Sequence, residues 1–183
     1  MSGERRLQQQ FDSEAKALAF YDKQMLDYLN DAMQSFIKRI GMVFLATADG
    51  EGQTDCSIKT GAPGFIKIVD KQTLLFPEYK GNGVMASLGN LVENPHLTLL
   101  FIDFFQHQVG LHVNGSAVIL SEADAYHLHP ELPNHQSITT WVKITVEEAY
   151  IHCSKNIPLL QHVSQPSGTK SGDFFHVARD HKE

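Results

Sequence analysis

The spacing of apolar residues changes at Gly41, and this change most limits how the chain can fold. From Ser13 to Ile40, apolar side chains recur every three or four residues, which is the period of an amphipathic helix. A break near Asn30-Asp31 would divide this helix in two. After Gly41 the apolar runs are short, and turns rich in glycine and aspartate separate them, which is typical of antiparallel strands.

Several segments after Gly41 fit β-strands. They are Met42–Ala48, Thr54–Thr60, Phe65–Val69, Thr73–Pro77, His96–Asp103, Gln108–Leu120 and Ile138–Cys153. Gly110 and Gly115 lie inside one of these segments and are expected at bulges or bends. Short strands joined by such turns predict an antiparallel barrel, so the chain is expected to be mainly β with flanking helices.

The size and composition of the chain suit a single domain. The chain has 183 residues, of which 42% are hydrophobic and 20% are charged, and this is enough apolar material for a core. Residues 1–12 are polar and are expected to form a flexible N-terminus. Residues 13–164 are expected to form the domain, and residues 165–183 a C-terminal tail.

Charge, hydropathy and cysteine content argue against several classes of protein. The formal net charge of −6 disfavours a general nucleic-acid binder. No apolar run approaches the ~18 residues that a membrane helix needs, and the first residues lack the apolar core of a secretory signal. Cys56 and Cys153 form no C-x-x-C motif, so a reducing compartment fits best. These features predict a cytoplasmic protein that binds neither nucleic acid nor membrane.

A cation beside two glycines marks the clearest candidate for a binding site. Lys80 precedes Gly81-Asn82-Gly83 at the point where a strand is expected to turn into a helix. Free backbone N–H groups and a helix N-terminus attract a phosphate there, and a lysine neutralises it. The motif is neither a Walker A loop nor a G-x-G-x-x-G fingerprint, and Gly-Asn-Gly is also an ordinary turn. Both interpretations remain open from these residues alone.

Metal binding is not predicted, although the chain contains ten histidines. His127, His129 and His135 fall within nine residues, but two prolines interrupt the stretch and no cysteine is near. A zinc site needs three or four converging ligands. The stretch is therefore interpreted as a surface loop.

The order of the segments resembles the pyridoxamine 5′-phosphate oxidase-like flavoproteins, and in particular their oxidase-related members. The resemblance extends over roughly residues 25–160. It is most specific at Asn94-Pro95, which follows the basic turn and precedes an apolar strand. It implies a split antiparallel β-barrel that binds FMN at the interface of a homodimer. It also implies an FMN-dependent oxidoreductase with a small-molecule substrate.

The same resemblance implies a set of cofactor-binding residues. They are Ser57, Ile58 and Lys59 on a strand, Lys80, Gly81 and Asn82 in the loop, and Ser87, Gln108 and Lys155 further along the chain. Lys59 or Lys155 would stabilise the anionic reduced flavin. A solvated strand face is the alternative for Lys59, since lysine is usually exposed. No residue is assigned a catalytic role.

Two departures from the family pattern limit the expected activity. The loop reads Lys80-Gly81-Asn82 where pyridoxamine-phosphate oxidases carry an Arg-Lys pair. The C-terminal tryptophan with which those oxidases recognise the B6 substrate is not found after Lys155. Oxidation of B6 vitamers is therefore not expected. The alternatives to a flavin oxidoreductase are a non-catalytic module that binds a deazaflavin or haem, and a structural dimer.

Overall fold

The computed structural model describes residues 2–133 and 136–163. The tail predicted for residues 165–183 lies outside the described residues. Three helices, α1 to α3, precede the sheet at Gly3–Gln10, Glu14–Gln24 and Asp31–Ile37. No helix of the described residues is long and apolar enough to cross a membrane.

The N-terminal helices differ from the sequence prediction in two ways. Residues 1–12, predicted to be flexible, contain α1, because Ser2 caps the helix and Gln8 donates a hydrogen bond of 2.6 Å to the Tyr21 hydroxyl. The helix predicted up to Ile40 is interrupted from Met25 onward rather than only near Asn30-Asp31. Leu26 exchanges backbone hydrogen bonds with Ala149 of the sheet, and these replace helical bonds.

Seven antiparallel strands form one sheet, which confirms the predicted split β-barrel. Strands β1 to β7 span Met42–Ala48, Thr54–Thr60, Lys67–Asp70, Thr73–Tyr79, His96–Asp103, Val109–Leu120 and Ile138–His152. Their order in the sheet is β2-β1-β5-β6-β7-β4-β3. Helix α4, Ala86–Glu93, joins β4 to β5, and α5, Glu122–Leu128, joins β6 to β7. A short 3₁₀ turn follows β7 at Ser154–Asn156.

The core lies inside the barrel and follows the period of two along the strands. Val43 and Leu45 of β1 and Leu99 and Phe101 of β5 are buried, whereas the residues between them are partly exposed. Phe36 of α3 packs into the same cluster. Burial of these side chains is what favours this register, since a slip of one residue would expose all of them.

The two glycines of β6 have different roles. The pairing register skips one residue of β7 beside Gly115, so the predicted bulge is present there. A side chain at Gly115 would collide with the carbonyl oxygen of Thr145. The bulge predicted at Gly110 is wrong: Gly110 pairs in register with His152, and its Cβ would lie 2.7 Å from that of His152. Close packing, rather than a bend, requires glycine at this position.

Candidate functional site

A cavity of about 510 Å³ opens between the edge strand β2, the end of β4 and the start of α4. Strand β2 contributes Asp55, Ser57 and Lys59, β4 contributes Glu78 and Tyr79, and the remaining wall is formed by residues 81–88. The wall therefore combines carboxylates, hydroxyls, an ammonium group and a glycine-rich backbone. Such a mixture of polar groups suits a ligand with a charged end.

The polar face of β2 points toward the cavity, and its apolar face points away. Asp55, Ser57 and Lys59 are partly buried, whereas Cys56 and Ile58 are exposed, with Ile58 at 57%. The Lys59 side chain is only 16% exposed, which overturns the alternative of a solvated strand face. The side chains of β2 alternate as in any strand, but the more polar side of this strand faces inward.

Lys59 and Glu78 form an ion pair across the cavity. The Lys59 ammonium donates to both carboxylate oxygens of Glu78, at 2.9 and 3.0 Å, and lies 5.6 Å from the centre of the Phe76 ring. Strand β2 is not a neighbour of β4 in the sheet, so the pair spans the gap between these strands. Both side chains are mostly buried, which makes such a charge-assisted contact stronger than a surface pair.

Two serines and an aspartate form a hydrogen-bonded network in the same wall. Ser87 is buried and donates a 3.0 Å hydrogen bond to Asp55, and its hydroxyl lies 3.2 Å from that of Ser57. This network links β2 to the first turn of α4. It fixes the positions of two hydroxyl groups that face the cavity.

The loop before α4 leaves backbone N–H groups available to a ligand. Gly83 has a φ of 86° and Met85 a φ of 58°, so the chain reaches the helix in a left-handed conformation. No side chain caps α4, and the first amides of a helix have no partner within it. Asn82 stabilises the loop by accepting a 3.0 Å hydrogen bond from the Val84 N–H. The start of α4 is therefore suited to an anion.

The structure brings together five of the residues predicted from the sequence: Ser57, Lys59, Gly81, Asn82 and Ser87 line the cavity. Lys80 has an exposed side chain outside the lining, although its backbone N–H donates to the Ser137 carbonyl at 2.7 Å. Ile58 points to the other side of β2. Gln108 donates a 2.7 Å hydrogen bond to the Ile157 carbonyl, and Lys155 is exposed in the 3₁₀ turn. Neither residue lines the cavity.

Two carboxylates of the site were missed by sequence reasoning. Asp55 and Glu78 line the cavity, and the sequence pattern assigned neither of them to the site. Glu78 stands two residues before Lys80, so its position next to the basic loop was a signal. Its partner Lys59 lies on a strand that is not adjacent in the sheet, and no local pattern predicts that contact.

A second polar group lies on the outer side of the sheet. His112 Nε2 lies 2.9 Å from His152 Nδ1, and the His112 ring stacks on Tyr150 with 4.8 Å between centres. Burial lowers the pKa of His112, and the nearby His152 lowers it further. Among residues 2–133 and 136–163, no three histidine, cysteine, aspartate or glutamate side chains converge as metal ligands. Of the stretch predicted to be a surface loop, His127 lies instead in α5, and His135 lies outside the described residues.

The comparison with protein families agrees with this architecture. The model of the pyridoxamine 5′-phosphate oxidase family matches residues 29–153. The chain belongs to this family. The match includes all seven strands and the cavity, so the pyridoxamine 5′-phosphate oxidase family accounts for the whole barrel. No curated protein matches this sequence.

The chain is similar to several solved structures. HupZ of Group A Streptococcus is 20% identical, has a TM-score of 0.54 and covers 67% of this chain and 93% of its own. HutZ, the haem storage protein of Vibrio cholerae, is 15% identical, has a TM-score of 0.46 and covers 67% and 94%. An FAD-binding protein of Mesorhizobium loti is 13% identical, has a TM-score of 0.45 and covers 70% and 99%. Of these three, only the HupZ likeness has a TM-score above 0.5, and at 20% identity it supports the fold alone.

Proposed function

We propose that the chain is an FMN-binding oxidoreductase that works as a homodimer on a small-molecule substrate. The observation that carries this proposal is the convergence of hydroxyl groups, backbone N–H groups and a lysine in one cavity of the barrel. These are the groups with which proteins hold phosphates. Membership of the pyridoxamine 5′-phosphate oxidase family supports FMN as the bearer of that phosphate.

The donors of the cavity fit the phosphate of FMN. Ser57 and Ser87 offer hydroxyls that are held in place by their mutual contact and by Asp55. Gly81 and Gly83 carry no side chain, and a Cβ at either would meet no atom within 4 Å, so a ligand can approach the loop backbone. The uncapped α4 adds a favourable dipole. Lys80, beside Gly81, adds a positive charge next to the cavity.

A homodimer is proposed because the outer side of the sheet carries a continuous row of partly apolar side chains. This outer row consists of Ile58, Phe44, Leu100, His112 and Tyr150, which are consecutive cross-strand partners. All five are at least partly exposed in the single chain. A two-fold partner would cover the row and the edge of β2. We propose that Gln108 and Lys155, which lie away from the cavity, reach the cofactor of the partner.

FMN would supply the redox chemistry, and the chain would supply binding and orientation. In this proposal Ser57, Ser87 and the 81–83 backbone hold the phosphate end. The backbone of β2 from Cys56 to Lys59 lies along the ring, and Lys155 faces its anionic reduced form. No side chain is assigned as nucleophile or general base. We do not expect a B6 vitamer as the substrate, because the tryptophan with which the B6 oxidases recognise that substrate is not found after Lys155.

The identity of the small molecule that leaves the purified protein tests this proposal. The protein is purified without added cofactor, its absorbance is recorded, and the supernatant after denaturation is analysed by mass spectrometry. We expect a yellow protein that releases FMN in amounts comparable to the chain. A deazaflavin, a haem with its Soret band, or a colourless protein that does not take up added FMN would contradict the proposal.

A further inference from the structure

The cation that faces the cavity is already bound to a carboxylate of the same chain. Lys59 is the only lysine or arginine among the described residues that line the cavity. Both oxygens of Glu78 accept hydrogen bonds from its ammonium group. Asp55 adds a second carboxylate to the wall. The lining therefore contains two acidic side chains and one basic side chain, which opposes a doubly charged phosphate.

We propose that Glu78 controls which ligands the cavity accepts. Its carboxylate holds the Lys59 ammonium group until the phosphate of a ligand takes the place of that carboxylate. This inference rests on the proposed function, since it assumes that the phosphate of FMN enters this cavity. A carboxylate and a phosphate offer the same kind of acceptor oxygens to an ammonium group. The Glu78 carboxylate thus occupies the place beside Lys59 that a ligand phosphate would take.

The position of the pair allows this exchange. Glu78 lies near the end of β4, where the pairing with β7 is irregular between Glu78 and Tyr79, and the glycine-rich loop begins two residues later. Lys59 lies near the end of β2, which has a neighbour on one side only. Neither residue belongs to the hydrophobic core clusters, so a change of rotamer at either one does not require the core to repack.

The ion pair would make the cavity select ligands by their charge. A neutral ligand that does not contact Lys59 leaves the ion pair intact. A ligand whose phosphate enters beside Lys59 breaks the ion pair. The free energy lost with the pair is recovered only if the phosphate itself binds the Lys59 ammonium group. A ligand that carries only a carboxylate would gain little, because it would bind Lys59 no more strongly than the Glu78 carboxylate does. The class of ligand that fits is therefore a phosphomonoester with further contacts elsewhere in the cavity.

Equilibrium titrations of FMN and riboflavin test the role of Glu78. They compare the wild type with Glu78→Gln, which keeps the shape of the side chain and removes its charge. We expect Glu78→Gln to bind FMN about tenfold more tightly, and to bind riboflavin as the wild type does. Glu131→Gln, which removes an exposed carboxylate outside the cavity, controls for the change in net charge. It should leave both affinities unchanged.

A double substitution shows whether Glu78 affects FMN binding through Lys59 or independently of Lys59. In a Lys59→Met background, Glu78→Gln should improve FMN binding much less than it does in the wild type. The group that the substitution releases is then absent, and only the repulsion between the carboxylate and the phosphate is relieved. If Glu78→Gln tightens FMN binding equally with and without Lys59, the inference is overturned. If it weakens FMN and riboflavin alike and lowers Tm, the pair serves only to hold β2 and β4 together, and the inference is also overturned.

The proposed function and this inference fail in different ways. If the wild type binds FMN more tightly than riboflavin and Glu78→Gln leaves that ratio unchanged, the inference fails and the phosphate site stands. If wild type and variant bind FMN and riboflavin equally, or bind neither, the phosphate site itself fails, and the inference fails with it.

Discussion

The imidazole rings of His112 and His152 face each other on the outer side of the sheet, with 2.9 Å between Nε2 and Nδ1. One nitrogen of the two must carry the hydrogen and the other must accept it, so the contact requires that the rings are not both doubly protonated. Burial lowers the pKa of His112 below its ordinary value near 6.5, and the charge on His152 adds to this. We therefore expect the pair to make the fold sensitive to mild acid.

The free energy of unfolding should decrease as the pH falls through the range between the ordinary and the lowered pKa of His112. In that range the unfolded chain binds more protons than the folded chain, so acid favours unfolding. Above about pH 6.5 the full contribution is present. Thermal unfolding followed by circular dichroism from about pH 8 to about pH 5 measures the slope. His112→Asn should make that slope smaller.

A neighbour of His112 provides the control for this slope. Leu100 pairs with His112 across the strands, and Leu100→Val changes the packing there without changing any titrating group. It should lower Tm by a similar amount at every pH. If His112→Asn gives the same pH slope as the wild type, the histidine pair does not make the fold acid-sensitive.

Gly115→Ala should destabilise the barrel strongly. Its Cβ would overlap the carbonyl oxygen of Thr145, which belongs to the backbone and cannot rotate away. Forcing atoms into a packed site costs typically 1–3 kcal/mol, and we expect about 3 kcal/mol in a denaturant titration.

Gly89→Ala is the matched control for Gly115→Ala. Gly89 lies inside α4, and a Cβ there would meet no atom within 4 Å. Alanine should increase the free energy of unfolding by roughly 0.5–1 kcal/mol, because it is the better helix former. If Gly115→Ala were as stable as the wild type, the close approach between β6 and β7 would be incorrect.

Ile58→Lys should convert a dimer into a monomer. Ile58 is at one end of the outer row and is 57% exposed, so a charge there would be buried without a partner in the proposed interface. Light scattering after size exclusion measures the mass, which should fall from about twice 20.5 kDa to the mass of one chain. Val92→Lys, at a 75% exposed position of α4 outside the row, should leave the mass unchanged.

Pyridoxamine 5′-phosphate should not reduce the bound flavin. No tryptophan follows Lys155, where the B6 oxidases use one to recognise their substrate, and a substrate whose groups remain unpaired in a closed site loses binding. Anaerobic mixing, followed at the absorbance band of the flavin, measures this directly. Rapid bleaching at micromolar substrate would contradict the prediction. Lys155, and Arg179 outside the described residues, would then be the first cations to substitute.

Much of the strand pattern could be predicted because it depends on local features. The bounds of β1, β2 and β5 agree with the sequence prediction, since glycine, aspartate and proline mark their ends and alternation marks their interiors. The helix α1 was missed because it is polar. The Ser2 cap and the Gln8–Tyr21 contact that stabilise it involve residues too ordinary to stand out.

The cavity could be predicted only in part. Ser57, Lys59 and the 81–82 loop were found, because the resemblance to the oxidase family assigns a binding role to particular positions in the sequence. The pairing of Lys59 with Glu78 was not found, because it depends on how the barrel brings β2 opposite β4, strands that are not neighbours in the sheet. The direction of the polar face of β2 was also not predictable, since alternation alone does not say which side faces inward.

The measurement that tests the central claim most directly is the ratio of the dissociation constants for FMN and riboflavin. The two ligands share the ring and the ribityl chain, and only FMN carries the phosphate. We expect the wild type to bind FMN roughly 10- to 100-fold more tightly, which corresponds to about 1.4–2.8 kcal/mol. Lys59→Met, which removes the cation of the cavity, should reduce that ratio. Equal dissociation constants for FMN and riboflavin would contradict a phosphate site between β2 and α4.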